Sequence, residues 1–373
     1  MAQLAQPITT YSDTTLAKRM ITDVISIIDP KDTPMIEQLG GLDGASGKFN
    51  FTNRGATLAE WAEDTLFAMA STITETIESN TTTLTVADAY IFQEGDIIMI
   101  GTEFIWVSAV ASSTTLTVTR ALGSTAASAA DNAVVTLVGQ ARLDGSDSHD
   151  RGFTDKTTNS NYSQIFHGQV MVARSANQVP QYGLTSDFDY QVEKTVPSLL
   201  RLIERNIFHG TRNAGSATTP RTSGGLPIFI TDNTVNCTPT APTQANIEDA
   251  LQMAWEDGGT GPWVMHVSGD IMQAVKNLYD TSAMPYLQVT RQEDTLGMVV
   301  TKFHTPFGDV DLTLNRWVPV TKIYLVDPKH AGLLTYYPFT WEPLAKTGDA
   351  DKSEVVGEFL FALRQDKAHA VLT

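Results

Sequence analysis

The sequence contains a single cysteine, Cys237, in 373 residues. An intramolecular disulfide is therefore impossible, and a reducing compartment such as the cytoplasm is the natural setting. No apolar run reaches the ~18 residues that span a bilayer. The first residues also lack the basic and apolar regions of a signal peptide. These absences predict a soluble globular protein without a membrane partner.

Positive charge is also scarce, because 25 lysines and arginines face 42 aspartates and glutamates, for a net charge of -17. Nucleic-acid affinity depends mainly on neutralising phosphates, so the balance disfavours a dedicated nucleic-acid binder. It suits a protein that lies near nucleic acid without binding it tightly. The shortage is greatest in residues 71–138, where Arg120 is the only basic residue.

Recognisable catalytic motifs are missing as well. None of the seven histidines has His-Glu-x-x-His spacing, and Ser223 and Ser268 lack the Gly-x-Ser-x-Gly setting of a nucleophile. The densest candidate metal cluster fits no EF-hand and is more typical of a solvated turn; it consists of Asp144, Asp147, His149 and Asp150. The sequence therefore predicts no enzymatic turnover, no metal and no cofactor.

The clearest positive signal is an amphipathic pattern between residues 184 and 213. Apolar residues recur every three or four positions, which predicts one face of a helix over Ser186–His209; they are Leu184, Phe188, Val192, Val196, Leu199, Leu200, Ile203 and Ile207. Thr185 or Ser186 can cap its start, and Gly210 offers its end. Pro197 lacks an N–H, so we expect a kink there or two abutting helices.

Residues 1–56 are predicted to form an extended arm with little core of its own. Thr15–Ile28 has partly helical spacing, which Pro30 and Pro34 end. Lys48–Asn53 alternates like a strand, with Phe49 and Phe51 on one face. We expect this arm to pack on another body, either the rest of the chain or a neighbouring subunit, which would bury Leu42 together with the two phenylalanines.

Residues 71–138 alternate in short runs separated by glycines. The predicted strands are Thr72–Ile77, Thr82–Val86, Asp96–Ile100, Glu103–Ala109, Thr114–Arg120 and Ala133–Val138. The string Thr-Thr-Leu-Thr-Val occurs at 82–86 and again at 114–118. Either two copies of one small β-unit form a sandwich or barrel, or the recurrence is a chance match.

The pattern after the helix is that of an α/β unit. Its predicted helices are Gln244–Trp255, capped by Thr243, and Asp270–Leu278. Its predicted strands are Leu226–Ile230, Trp263–Val267, Val299–Phe303, Val310–Asn315, Lys322–Val326 and Leu333–Tyr337, and Val355–Leu363 is a closing strand. Pro306-Phe307-Gly308-Asp309 indicates a hairpin between two of these strands.

The order of these parts resembles the major capsid proteins of tailed bacteriophages. Glu60-Trp61-Ala62-Glu63-Asp64 looks like the entry to the E-loop of that fold. Phe92-Gln93-Glu94-Gly95-Asp96-Ile97-Ile98, Leu116-Thr117-Val118-Thr119-Arg120 and Glu342-Pro343-Leu344-Ala345-Lys346-Thr347-Gly348-Asp349 resemble the branch with a β-domain inserted in the E-loop.

The resemblance implies an α+β tailed-phage major capsid fold with an inserted small all-β domain. The expected divisions are an N-terminal arm (1–56), an E-loop region (57–183) with a β insertion at about 71–138, and the spine helix with the start of the peripheral domain (184–225). An axial domain that shares strands with the peripheral domain (226–340) and a return to the peripheral domain (341–373) follow.

The implied function is that of a structural subunit, not an enzyme. It would form hexamers and pentamers of an icosahedral head around double-stranded DNA, after assembly in the bacterial cytoplasm. Scaffolding, portal and cement proteins are the implied partners, and the short lead before the arm implies that any scaffold is separate. The residues expected at assembly contacts are Phe49, Phe51, Trp61, Glu63, Arg201, Arg205, Arg212 and Arg221.

Two questions stay open at this point. The alternative function is a surface-exposed enzyme or carbohydrate-binding protein that uses the β-unit, of which Trp106 is the only tryptophan. For a capsid subunit, the acidic segment 71–138 is expected on the outer surface, because it gains nothing from facing DNA. There it would either contact a neighbouring subunit or a cement protein, or serve only as a spacer that thickens the shell.

Overall fold

The computed structural model describes residues 32–43, 56–142, 144–145, 155–179, 186–238, 241–280, 302–346 and 348–373. The chain divides into two compact units, one formed by Met1–Trp61 with Asn159–Thr373 and the other by Ala62–Thr158. The predicted strand with Phe49 and Phe51, and the predicted helix at residues 15–28, lie outside the described residues.

The described helices are α1 (Pro34–Leu39), α2 (Arg174–Gln178), α3 (Asp187–His209), α4 (Leu226–Phe229), α5 (Gln244–Glu256) and α6 (Gly269–Asp280), with a 3-10 turn at Asp366–Ala368. The described strands are β1 (Leu58–Glu63), β2 (Ala70–Thr72), β3 (Thr83–Thr85), β4 (Asp96–Ile100), β5 (Glu103–Val110), β6 (Thr115–Thr119), β7 (Val134–Gln140), β8 (Thr157–Tyr162), β9 (Gln164–Ala173), β10 (Thr234–Val235), β11 (Trp263–Val267), β12 (Lys302–Thr305), β13 (Gly308–Leu314), β14 (Ile323–Val326), β15 (Ala331–Pro343), β16 (Ala350–Leu363) and β17 (Ala370–Leu372).

Helix α3 confirms the amphipathic prediction. The Ser186 hydroxyl accepts a hydrogen bond from the Asp189 N–H at 3.3 Å and caps its start. Leu199, Ile203 and Ile207 are buried in one core cluster with strands of the first unit. Pro197 lies inside the helix, which runs through it as one element, so the expectation of two abutting helices is wrong.

Gly210 ends the helix because of close packing and not because of a left-handed backbone. Its φ is -62°, which any residue adopts. A Cβ at this position would lie 2.5 Å from the Asn206 carbonyl oxygen and 2.7 Å from that of Ser223. Only glycine therefore lets the chain after α3 pass so close to the helix end.

A three-stranded antiparallel sheet with the order β15-β16-β9 packs against α3. Val355 and Phe359 of β16 and Phe166 of β9 are buried in the cluster that includes the apolar face of α3. A Cβ at Gly168 would lie 2.5 Å from Cγ2 of Thr195, so the missing side chain lets the helix approach β9. The predicted packing of the helix against a sheet that includes Val355–Leu363 is confirmed.

A six-stranded mixed sheet with the order β10-β17-β14-β11-β13-β12 forms the other layer of this unit. Met265 and Leu325 lie in a core cluster with Ile247 of α5 and Ile271 of α6. Tyr324, on the opposite face, belongs to the cluster that contains α3. Thr243 caps α5 through a reciprocal pair of bonds with Asn246, as expected for this helix start.

The second unit contains a small antiparallel barrel with the strand order β2-β7-β4-β5-β6-β3. A bridge between Ile73 and Val86 joins the two end strands and closes it. The recurring string forms neighbouring strands of one sheet, with Leu84 opposite Leu116 and both side chains fully buried. The two copies of the string therefore form one pair of adjacent strands with the same alternation of buried and exposed residues.

The sequence predictions are wrong at two short helices of the first unit. Leu226–Ile230 is not a strand: its first four residues form α4, where Pro227 occupies the start of the helix and Phe229 packs on Trp61. The predicted elements also omit α1, which begins at Pro34 for the same reason.

Residues 33–42 of the arm pack on the rest of the chain, which is one of the two alternatives expected for the arm. Met35, Ile36 and Leu39 are buried in the main core of the chain, and Leu42 packs against it. The spacing of three apolar residues over a single turn was too short to reveal this helix.

The barrel is stabilised by a buried ion pair between Glu103 and Arg120, the only basic residue in the segment 71–138. Nε and Nη2 of Arg120 donate to the two carboxylate oxygens of Glu103 at 2.7 and 2.5 Å. Burial by itself raises the pKa of Glu103, but bonds from Arg120 and from the N–H groups of Ala127 and Ala121 outweigh it, so this pKa is lowered. Arg120 also donates to three backbone carbonyls, which fix two turns of the barrel.

We predict that residues 62–158 fold alone, since they enclose a core of their own. In that fragment Arg120→Ala should lower the free energy of unfolding by about 3–5 kcal/mol, because it leaves a buried carboxylate unpaired. Lys156→Ala removes the same charge from an exposed site and should change it by less than about 0.5 kcal/mol. Trp106 fluorescence during urea unfolding measures the free energy of unfolding of both variants. Equal losses in the two variants would contradict a stabilising role for the Arg120–Glu103 ion pair.

Candidate assembly surface and the buried groups behind it

The buried carboxylate of Glu204 joins three distant parts of the first unit. Its Oε1 accepts hydrogen bonds from the Met35 N–H at 2.8 Å and from Nδ2 of Asn315 at 2.7 Å. Its Oε2 accepts from the Ile36 N–H at 2.9 Å. Helix α3 thus supplies the N-terminal cap of α1, whose own Thr33 makes no capping bond.

The sequence analysis did not identify Glu204, although its position in the helical pattern indicates a buried carboxylate. Glu204 directly follows Ile203 and lies one turn before Phe208, so it belongs to the apolar face of α3. A carboxylate in that position demands donors, because an unpaired buried charge is costly. Burial raises the pKa of Glu204 above its usual 4.5, against the three hydrogen bonds that lower it.

A second buried polar cluster lies where β8 meets the loop after α3. Nδ2 of Asn161 donates to the hydroxyl of Ser223 and to the carbonyls of Gly224 and Phe361, at 3.1, 2.9 and 2.6 Å. Its Oδ1 accepts from the Gly224 N–H at 2.8 Å. Ser223 is therefore a structural hydroxyl, which agrees with its lack of a nucleophile motif.

Two of the predicted assembly arginines lie beside this cluster and bind within the chain. Arg221 donates to Oε1 of Glu358 at 2.7 Å and to the Ser163 carbonyl at 3.2 Å. Arg212 donates to the Ser160 carbonyl at 2.8 Å. Both side chains thus hold β8 and the start of β9 against the loop that follows α3.

The other predicted assembly residues divide between the interior and the surface. Trp61 is buried, with its ring 5.8 Å from that of Phe229. Glu63 is half-buried, and its carbonyl accepts from Thr157. Arg201 lies on α3, and its Nη2 donates to the Ser198 hydroxyl at 3.4 Å. Arg205 is exposed one turn later. Phe49 and Phe51 lie outside the described residues.

Arg205 lines a surface groove between α3 and β9, with Ile165, His167, Leu202 and His209. Ile165 and Leu202 are about half exposed, at 55% and 51%. No carboxylate of the described residues lies within ion-pair distance of Arg205. The groove therefore combines apolar side chains with one arginine that has no ion-pair partner among the described residues, a mixture typical of protein interfaces.

Two fully buried histidines of the first unit lie in different environments. Neither ring nitrogen of His266 has a hydrogen-bond partner among the described residues, and its ring lies 5.5 Å from that of Phe208. Nδ1 of His369 accepts from the Asp327 N–H at 3.0 Å, and its Nε2 lies 3.2 Å from the Arg364 carbonyl. Burial lowers the pKa of each histidine to about 3.

Within the described ranges, no group of three or more histidines, cysteines or carboxylates is placed to hold a metal. Of the candidate metal cluster, only Asp144 lies within those ranges. No described helix is long and apolar enough to cross a membrane. Burial raises the pKa of the Cys237 thiol, which disfavours the reactive thiolate.

Solved structures from phages share this arrangement over almost the full chain. A cyanophage A-1(L) capsid asymmetric unit matches with a TM-score of 0.59 and 12% identity, covering 98% of this chain and 99% of that one. Structures from Mycobacterium phage Bobi and Microbacterium phage Oxtober96 match with TM-scores of 0.51 and 0.50 and identities of 12% and 14%; each covers 99% of both chains. The fold is therefore that of a tailed-phage capsid protein.

The sequence itself identifies the family. The profile of the SU10 major capsid protein family matches residues 8–373, so the chain belongs to that family and is a structural component of a phage capsid shell. No curated protein sequence matches it significantly. The predicted tailed-phage capsid fold, major capsid role and virion location are confirmed at this level.

Glu204→Gln should destabilise the subunit, because whichever oxygen becomes an NH2 group would face a donor. The expected loss is about 1.5–3 kcal/mol in the free energy of unfolding, the usual contribution of a hydrogen bond to a charged group. Glu193→Gln on the exposed side of α3 is the matched control and should cost less than about 0.5 kcal/mol. Urea unfolding measures both, and equal stability of the two variants would refute the cap.

The two histidines predict an acid-sensitive subunit. Their pKa values are about 3 folded and about 6.5 unfolded, so the unfolded state binds more protons between these limits. The stability that comes from keeping them neutral is full above pH 6.5 and is lost as the pH falls towards 3. Glu204 does not add to this loss, because its raised pKa favours the folded state in acid.

His266→Phe and His369→Phe should therefore have opposite effects at pH 7.5. The first removes two unpaired nitrogens and should be neutral or stabilising, while the second leaves an N–H and a carbonyl unpaired and should cost about 1–3 kcal/mol. Each should reduce the slope of stability against pH between 6 and 4, by at most about 1.4 kcal/mol per pH unit. Urea unfolding curves across that pH range measure both variants. If His266→Phe lowered the free energy of unfolding as much as His369→Phe, His266 could not be the unpaired histidine.

Proposed function

We propose that the chain assembles into hexamers and pentamers of an icosahedral head that encloses double-stranded DNA. Family membership over residues 8–373 is the observation that carries the proposal. Assembly in the bacterial cytoplasm fits the single cysteine, and the absence of a convergent acid, base and nucleophile in the sequence favours a subunit without turnover or cofactor. Scaffolding, portal and cement proteins are the proposed partners.

The proposed domains follow the predicted divisions. Residues 1–56 serve as the arm, 57–183 as the E-loop region with its β insertion at about 71–138, and 184–225 as the spine and start of the peripheral domain. Residues 226–340 serve as the axial domain, and 341–373 return to the peripheral domain. We place the acidic barrel on the outer surface, because residues 71–138 hold seven carboxylates and one arginine, and the resulting net charge of -6 opposes contact with DNA.

The eight assembly residues have two proposed roles. Arg205, with Arg201 and Glu63, contacts neighbouring subunits directly, as do Phe49 and Phe51 of the arm. Trp61, Arg212 and Arg221 act inside the chain by holding β1, β8 and β9 in place. The second group is expected to affect assembly mainly through the stability of the subunit.

No specific observation favours the alternative of a carbohydrate-binding or catalytic β-unit. The indole N–H of Trp106 already donates to the Ala141 carbonyl at 3.3 Å, and the ring lies half-buried on the sheet. A sugar site would need an open aromatic face with convergent polar groups beside it.

The test is electron microscopy and sedimentation of the overexpressed chain. The parent should form closed shells or hexamers, and a small monodisperse monomer would overturn the proposal. Arg205→Glu should reduce the shell yield at least tenfold without changing the melting temperature of the unassembled subunit. Lys194→Glu makes the same charge change on α3 outside the groove and should assemble like the parent.

A further inference from the structure

The outer edge of β9 carries a row of backbone groups that point away from its sheet. β9 pairs with β16 in an unbroken antiparallel register from Ala350 opposite Ala173 to Phe359 opposite Gln164. The Arg174 N–H donates to the Asp349 carbonyl at 3.2 Å, one step further in this register. Because bonded positions alternate along an antiparallel strand, even-numbered residues of β9 bond to β16 and odd-numbered residues face outwards.

The residue before β9 supports this assignment independently. The N–H of Ser163, an odd-numbered position, donates outwards to the Thr57 carbonyl at 2.9 Å. Extended chain therefore already lies along this edge at one point. Beyond it, no described strand pairs with the outward edge of β9. The outward-facing residues are Ile165, His167, Gln169, Met171 and Ala173.

An open edge of this kind is normally protected. Folded proteins protect exposed edge strands with lysine, proline, bulges or short length, because unpaired N–H and C=O groups recruit other chains. β9 has ten residues, no charged residue, no proline and no bulge against β16. Ile165 and Met171 are 55% and 63% exposed on it. The strand thus has the features of a pairing site.

Two surface depressions lie between β9 and α3, on either side of the close contact at Gly168. One is the groove with Arg205, described above, and the other is lined by Met171, Asp187 and Gln191. Together they follow β9 from Gln164 to Ala173. The end near Arg205 carries a positive charge, although the chain as a whole carries a net charge of -17.

We propose that the outward edge of β9 receives an extended segment from a second copy of this chain, which adds a fourth strand to the β15-β16-β9 sheet. Main-chain hydrogen bonds to the odd-numbered residues give the affinity, as in other strand additions. An acidic chain is the complementary partner for the positively charged end. The inference rests on the proposed function, since a shell supplies such a neighbour at every position.

Proline substitutions in the full chain test the edge. His167→Pro and Gln169→Pro each remove one outward N–H that has no partner in the described chain, and an edge strand tolerates this change. We expect the melting temperature of the unassembled subunit to stay within about 2 °C of the parent and the shell yield to fall at least tenfold. His167→Thr and Gln169→Thr keep the N–H and should assemble normally.

Normal assembly of the proline variants would overturn the proposal, and so would their unfolding, which would mean that these N–H groups face β16. Hydrogen exchange separates this inference from the proposed function. In parent shells the odd-numbered amides of β9 should gain at least tenfold protection over the free subunit, while even-numbered amides stay protected in both. Shells without that gain leave the function standing and refute the strand addition.

The occupant is identified by a photo-crosslinking residue at position 169 in shells assembled from equal amounts of light and isotopically heavy chains. Crosslinks between light and heavy chains are expected. Crosslinks only within single chains, or only to a different protein, would overturn the assignment to a second copy.

Discussion

The carboxylate of Glu204 links parts of the chain that lie 169 and 111 residues apart in sequence. Without this carboxylate, the N–H groups of Met35 and Ile36 in the first turn of α1 would be buried with no acceptor, which a protein interior rarely tolerates. With it, α1, α3 and the end of β13 share one hydrogen-bonded centre. This centre ties the start of α1 to the long helix, and the burial of Met35, Ile36 and Leu39 and the bond from the Trp317 indole to the Asp32 carbonyl add to that attachment.

The polar cluster around Asn161 plays a comparable part just beyond the C-terminal end of α3. It fixes the strand that leaves the second unit to the loop after the helix, through bonds to Ser223, Gly224 and Phe361. Gly210 completes the arrangement, because any side chain there would collide with Asn206 and Ser223. Buried amides with every bond made are rigid, and such rigidity suits a subunit that must present the same edges in every copy.

Local patterns were sufficient where a segment buries one face by itself. The period of α3, the capping of α5 by Thr243 and five of the six barrel strands follow from spacing, and β4 has the predicted limits of Asp96–Ile100. The exception is β2 at Ala70–Thr72, which shares only Thr72 with the predicted strand Thr72–Ile77. The same reasoning failed at α1 and α4, because four to six residues hold too few turns for a period to show. Both helices have a proline at their start, Pro34 in α1 and Pro227 in α4.

The sequence by itself determined the class of the protein: its charge, its lack of catalytic motifs and the order of its parts agree with the capsid fold and family. Only the tertiary structure decided what the polar residues do. Glu204 and Asn161 resemble ordinary surface residues until the fold removes water from them, and Arg221 resembles an interface residue until Glu358 lies 2.7 Å away. Long-range pairing sets these roles, and so it does for the open edge of β9, because the direction of its N–H groups depends on the register against β16 and not on the side chains it carries.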